Sequence, residues 1–108
     1  MATQSIVVLV TCGSVKEARR LSKALVRKRL AACVSMTANP IRSTYWWHGK
    51  VETATEVLML VKTTRKRFGA LEKEIRRLHS YETPEIIALP IVAGSKPYLK
   101  WLQESLKA

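Results

Sequence analysis

The stretch His79-Ser80-Tyr81-Glu82-Thr83-Pro84-Glu85-Ile86-Ile87-Ala88-Leu89-Pro90-Ile91 joins the densest group of ionisable side chains to the clearest strand of the chain. Ile86 to Ile91 is apolar throughout, with two adjacent β-branched residues, and reads as a buried strand. Pro84 has no backbone donor and keeps the residue before it extended, so a preceding helix stops by about His79. His79, Tyr81, Glu82 and Glu85 therefore fall on a short, stiff connection between a helix and a strand, a place where rigid elements often present ligand groups.

Upstream of this connection, Lys66 to Leu78 carries Phe68, Leu71, Ile75 and Leu78 at spacings of three and four, the pattern of an amphipathic helix. Before it, Val51 to Thr63 starts with polar alternation and ends in the apolar run Val57-Leu58-Met59-Leu60-Val61. Ile41 to Trp47 is also extended, and His48-Gly49-Lys50 between the two segments predicts a long hairpin whose glycine supplies a positive φ. Ile6 to Val10 is a continuous apolar strand. Ser14 followed by Glu17 has the form of a capping box, and Ala18, Leu21 and Leu25 mark the inward stripe of a helix ending near Arg27-Lys28-Arg29. Leu30 to Met36 reads as a strand from its place between that helix and Asn39-Pro40. Downstream, Gly94-Ser95-Lys96-Pro97 opens a terminal helix, with Leu99, Trp101, Leu102 and Leu106 expected to face inward.

The order β-α-β-β-α-β with one extra helix predicts an α+β, ferredoxin-like domain over residues 1–108, two helices lying on one face of a four-stranded antiparallel sheet. Apolar residues make up 47%, enough for a single core, and no apolar run approaches the roughly 20 residues that cross a bilayer. The opening Met-Ala-Thr-Gln-Ser lacks a charged signal region, so a cytoplasmic protein with no membrane partner is expected. Cys12 and Cys33 match no zinc-finger or Cys-x-x-Cys spacing; Cys33 is expected to be a small buried hydrophobe and Cys12 the more exposed thiol. The formal charge of +11 concentrates in two blocks, 16–29 and 62–77, which read first as solvated helix faces. Any attraction to nucleic acid is expected to be unspecific and to fade with salt, because the strand Val57 to Val61 carries none of the aromatics that stack on RNA bases. No Gly-x-Ser-x-Gly, glycine-rich phosphate loop or His-Glu-x-x-His occurs, which removes the common hydrolytic motifs. Tyr45, Trp46 and Trp47 belong to the face opposite the helices, and burying them predicts association with copies of the same chain.

Four stretches resemble the divalent-cation tolerance protein family, CutA: Arg29-Leu30-Ala31-Ala32-Cys33-Val34, Tyr45-Trp46-Trp47-His48-Gly49-Lys50-Val51-Glu52, Glu56-Val57-Leu58-Met59-Leu60-Val61-Lys62-Thr63, and Tyr81 to Pro90. The resemblance runs from Ile6 to Trp101 and includes Pro97-Tyr98-Leu99-Lys100-Trp101. It implies a ferredoxin-like subunit in a tight homotrimer, similar in architecture to the PII signalling proteins. It also implies a part in tolerance of divalent metals, copper above all, through ion binding and without enzymatic activity. The chain departs from the family where His79-Ser80-Tyr81 replaces His-Pro-Tyr, and where Gly13 stands near a usual proline; both changes loosen loops beside the proposed site.

Copper or another divalent ion takes imidazole, thiolate and carboxylate ligands. The set expected to supply them is His79, Glu85 and Cys33, with Glu82 and Cys12 nearby in sequence or topology and His48 with Glu52 as a weaker pair. The split order 4-1-3-2 is expected to bring the end of the first strand beside the end of the last, which argues against a Cys12–His79 pair. On the same order Cys33 reaches His79 only through another subunit. The alternative is a module that binds a small anionic ligand in a cleft between subunits, through Tyr45, Lys62 and Glu82 with Glu85.

Overall fold

Alternation along the first strand decides which side of the sheet is covered. In β1 (Ser5–Cys12), Ile6, Val8, Val10 and Cys12 are buried, whereas Val7 and Leu9 point to a side that is only partly covered. The computed structural model describes residues 4–107. In it β1 is flanked on both sides, pairing antiparallel with β4 (Lys50–Thr64) and with β5 (Ile86–Pro90). β2 (Cys33–Met36) closes the other edge of β4, so the order is β2-β4-β1-β5, the ferredoxin-like arrangement that the element order predicts.

β3 (Ile41–Trp47) pairs only with the first half of β4, from Ile41 opposite Glu56 to Trp47 opposite Lys50. The two form an arm that runs on from the four-stranded part and gives the chain one 44 Å axis against 26 and 25 Å. At its tip His48 and Gly49 both have positive φ, 50° and 77°, as a two-residue turn matched to strand twist requires.

α1 (Val15–Arg27) and α2 (Phe68–Leu78) cover one face, and Leu21, Leu25, Leu71 and Ile75 pack fully buried on Val8, Val10, Met59 and Val61. Ser14 caps α1 as expected, its Oγ accepting the Glu17 N–H at 3.1 Å. The box is only half closed, because the Glu17 carboxylate turns to the 79–85 loop instead. α1 ends with Arg29 at φ 60°, while the Leu30 and Arg29 amides donate to Leu25 and Val26. This is a Schellman closure built without glycine. It uses up Leu30 to Ala32, so β2 starts at Cys33 and not at Leu30. A single 3-10 turn, Arg65–Arg67, precedes α2 and moves its start from Lys66 to Phe68.

Two expectations about burial are overturned. β5 lies at a sheet edge, and although Ile86 packs on the core, Ile87 and Leu89 are 50% and 48% exposed, because no helix covers their side. Leu102 in α3 (Lys96–Ser105) and its C-cap Leu106 pack with Ala32, but Trp101 lies one residue round the helix, exposed and tilted against Tyr98 at 5.4 Å. Removing the α1 cap with Ser14→Ala should lower unfolding free energy by about 1 kcal/mol, read from urea midpoints.

Candidate functional site: a knotted loop and the cleft in front of it

Antiparallel pairing puts Val10 opposite Ile86, so the end of β1 meets the start of β5. That is the reverse of the strand-end geometry expected from the sequence, and it brings the loop 79–85 back over Thr11, Cys12 and Gly13. His79 terminates α2 in an extended conformation and is buried. Its Nε2 lies 2.8 Å from the Thr11 carbonyl oxygen, and its Nδ1 accepts the Tyr81 N–H at 3.0 Å. A carbonyl can only accept, so the proton sits on Nε2 and the ring is held in one tautomer.

Cys12 Sγ is 3.7 Å from that Nε2 and 3.4 Å from Met59 Sδ. Burial, followed by the charges of Glu17 and Glu56, pushes the Cys12 thiol up to about 12. Glu17 accepts the Ser80 N–H at 2.8 Å, the Ser80 hydroxyl at 3.1 Å and the Gly13 N–H. Burial alone would raise its carboxyl, but these bonds and the neighbouring His79 prevail and hold it below the usual carboxylate range.

Cys12, Glu17 and His79 place ligand atoms within 4.8 Å of one another, the one such trio among the described residues. Sulfur, nitrogen and oxygen donors suit a transition metal in type. Yet both ring nitrogens are occupied, the thiol holds its proton, and the carboxylate caps a loop. An ion here would displace the Thr11 carbonyl from Nε2. As it stands the trio is a structural knot that fastens the loop to β1.

In front of the knot, the Tyr81 ring leans on His79 at 4.7 Å and its hydroxyl donates to the Glu56 carboxylate at 2.9 Å. Burial and then Glu56 raise the Tyr81 phenol above its ordinary value. Gly13 lets this ring come close, since a Cβ there would lie 3.3 Å from the hydroxyl. The ring floors a cleft of about 630 Å³. β1 contributes Thr11, β3 contributes Ser43, Thr44, Tyr45 and Trp47, β4 contributes Glu56, and the loop contributes Tyr81, Glu82, Thr83 and Glu85.

Of the residues singled out in the sequence, Tyr45, Glu82 and Glu85 thus share one cleft, with His79 behind it. Lys62 is elsewhere, on the uncovered side of the sheet, with Nζ 2.6 Å from Ser35 Oγ and 3.8 Å from Cys33 Sγ. The two thiols exchange their expected roles. Cys12 ends β1 on the helix side and is fully buried, whereas Cys33 pairs with Lys62 on the open side and is partly exposed. His48 is exposed at the arm tip against Trp47, and Glu52 is exposed opposite Tyr45. Glu56 and Glu17 escaped the sequence reading. A lone acid heading the run Val57 to Val61 was the available signal for the first; nothing local marked the second as more than a helix cap.

Sheet order, two helices on one face and a carboxylate-lined cleft at the sheet end define a small ferredoxin-like protein. The chain belongs to the CutA1 divalent ion tolerance protein family, whose model matches residues 6–105. It is 44% identical over 100 residues to the divalent-cation tolerance protein CutA of Archaeoglobus fulgidus, covering 93% of this chain and 96% of that one. It is 48% identical over 99 residues to the Thermus thermophilus protein of the same name, covering 92% and 95%. The solved A. fulgidus structure, described as a periplasmic divalent cation tolerance protein, matches with a TM-score of 0.92 at 43% identity over 95% of this chain and 99% of that one. Among the described residues no helix is long and apolar enough to cross a membrane.

The thiol assignment is open to direct measurement. A thiol reagent at mildly alkaline pH should leave Cys12 untouched in the folded protein until denaturant is added. An unfolded thiol ionises near 9, whereas folded Cys12 keeps its proton to about 12. Its contribution to stability is therefore complete below about pH 9 and is lost as pH rises towards 12. The raised Tyr81 phenol adds to the same decline above about 10. Urea midpoints for Cys12→Ala should lose the part of the decline that begins near pH 9.

Proposed function

We propose that the protein is a non-enzymatic homotrimer that acts in divalent-cation tolerance by holding the ion in the cleft over Tyr81. The observation that carries this reading is the lining of the cleft. In a chain of net charge +11, it collects Glu56, Glu82 and Glu85 and contains no Lys or Arg. Carboxylate and hydroxyl oxygens attract a divalent cation and repel an anion. The anionic-ligand reading needs Lys62 in the cleft, and Lys62 is engaged with Ser35 on the open face. His79 supports the ion indirectly: its ring backs Tyr81 and its two hydrogen bonds fix the loop that carries Glu82 and Glu85.

Assembly is supported by what the single chain leaves bare. Trp46 is 74% exposed and Val51 60%, on an arm whose β3 pairs on one side only. Ile87 and Leu89 add apolar surface at the β5 edge. Apolar area and free strand edges of this kind are covered in stable proteins, most economically by closed symmetry.

Light scattering should return about three times the 12.2 kDa chain mass, and Trp46→Asp should lower it. A monomeric mass for the unaltered protein would refute the trimer. Calorimetry with copper(II) and manganese(II) should show binding of both weakened at least tenfold by the double change Glu82→Gln, Glu85→Gln. His79→Ala should weaken binding of both ions, because its ring fixes the loop that presents Glu82 and Glu85. Unchanged affinity in the double variant would take the ion out of the cleft.

A further inference from the structure

The chain's excess positive charge is confined to one layer. Residues 15–29 carry seven Lys or Arg against one Glu, and residues 65–78 carry six against two. Ten of the eleven net charges thus belong to α1, α2 and the turns next to them, while the sheet, arm and α3 are close to neutral. Two of the three acids in this layer are committed. Glu17 is buried and bound to Ser80, and Glu74 is pulled to about 2 by Arg77 and then Lys28. Along α1, Lys16, Arg20, Lys23 and Arg27 recur at four, three and four residues on the exposed side, a row about 16 Å long. Arg19 stands beside it, and among the described residues the side chains of Lys16, Arg19, Lys23 and Arg27 make no ion pair or hydrogen bond.

We infer that the α1–α2 layer is a docking face for double-stranded nucleic acid, held through its phosphates without regard to base sequence. A duplex strand presents one charge per roughly 3.4 Å of axis, so a row of cations about 16 Å long meets several phosphates at once. Eight of the thirteen basic residues in the layer are Arg, whose planar forks bond phosphate oxygens in pairs. Phosphate contacts set position and carry no sequence information, and this face has no aromatic side chain with which to address bases. A lipid surface fits less well. Helices that lie on membranes bury Trp, Phe or Leu, whereas the large apolar residues exposed on these two helices are only Val15 and Val26. The layer lies opposite the uncovered side of the sheet, so covering that side with other subunits leaves it free.

The test is fluorescence anisotropy of the full chain with two labelled duplexes of unrelated sequence. Both should bind with equal affinity, falling on the order of 100-fold between about 50 and 200 mM salt. Changing Lys16, Arg19, Lys23 and Arg27 together to Gln should weaken binding at least tenfold and reduce the salt slope by about 3, with the circular dichroism spectrum retained. A matched variant that removes the same charge elsewhere, at Arg42, Lys50, Lys96 and Lys100, should stay within threefold of the original. Equal losses in the two variants would show that net charge alone is responsible and overturn the docking face. A marked preference for one duplex, or adhesion to phosphatidylserine vesicles without duplex binding, would overturn it too.

Discussion

Everything at the functional end of this molecule depends on the two hydrogen bonds of the His79 ring. One ties the ring to the Thr11 carbonyl at the end of β1, and the other turns the chain at Tyr81. A buried imidazole left unpaired would cost its full desolvation penalty, so this ring stays only where both bonds are made. Once it is set, Ser80 falls onto Glu17, Tyr81 faces Glu56, and the carboxylates of 82 and 85 are presented on a loop with little freedom to move. The cleft is thus built from the protein core outward. Its floor is a consequence of packing, and its rim is left for a ligand.

The arm of β3 and β4 provides the opposing wall. β4 is fifteen residues long and belongs to two environments: its second half alternates into the core, while its first half is exposed beside β3. Glu56 sits where the two halves meet, buried by the arm yet aimed at Tyr81. The cleft exists because one continuous strand leaves the body of the protein at that residue.

The fold was legible because its signals are local and repeated: helical periodicity around Leu21 and Leu71, the Ser14 cap, the His48-Gly49 turn and the stop imposed by Pro84. What could not be read was which side of an element meets what. Ile86 to Ile91 looks uniformly buried as a string, and only the strand order shows it to be an edge with one bare side. Trp101 has the composition of a core residue and the wrong angular position on its helix. The loop carrying Tyr81, Glu82 and Glu85 was visible in the sequence, but its counterparts Thr11, Glu17 and Glu56 were not. They lie up to 68 residues away, and what marks them is burial among distant partners.

The placement of the two thiols has a consequence for redox chemistry. Cys12 and Cys33 sit on opposite faces of one sheet, the first among the helices and the second beside Lys62. No rotamer change can carry one sulfur through the backbone ladder to the other, so a disulfide within the chain would require the sheet to come apart. The subunit therefore has no internal cross-link to gain under oxidising conditions and none to lose under reducing ones.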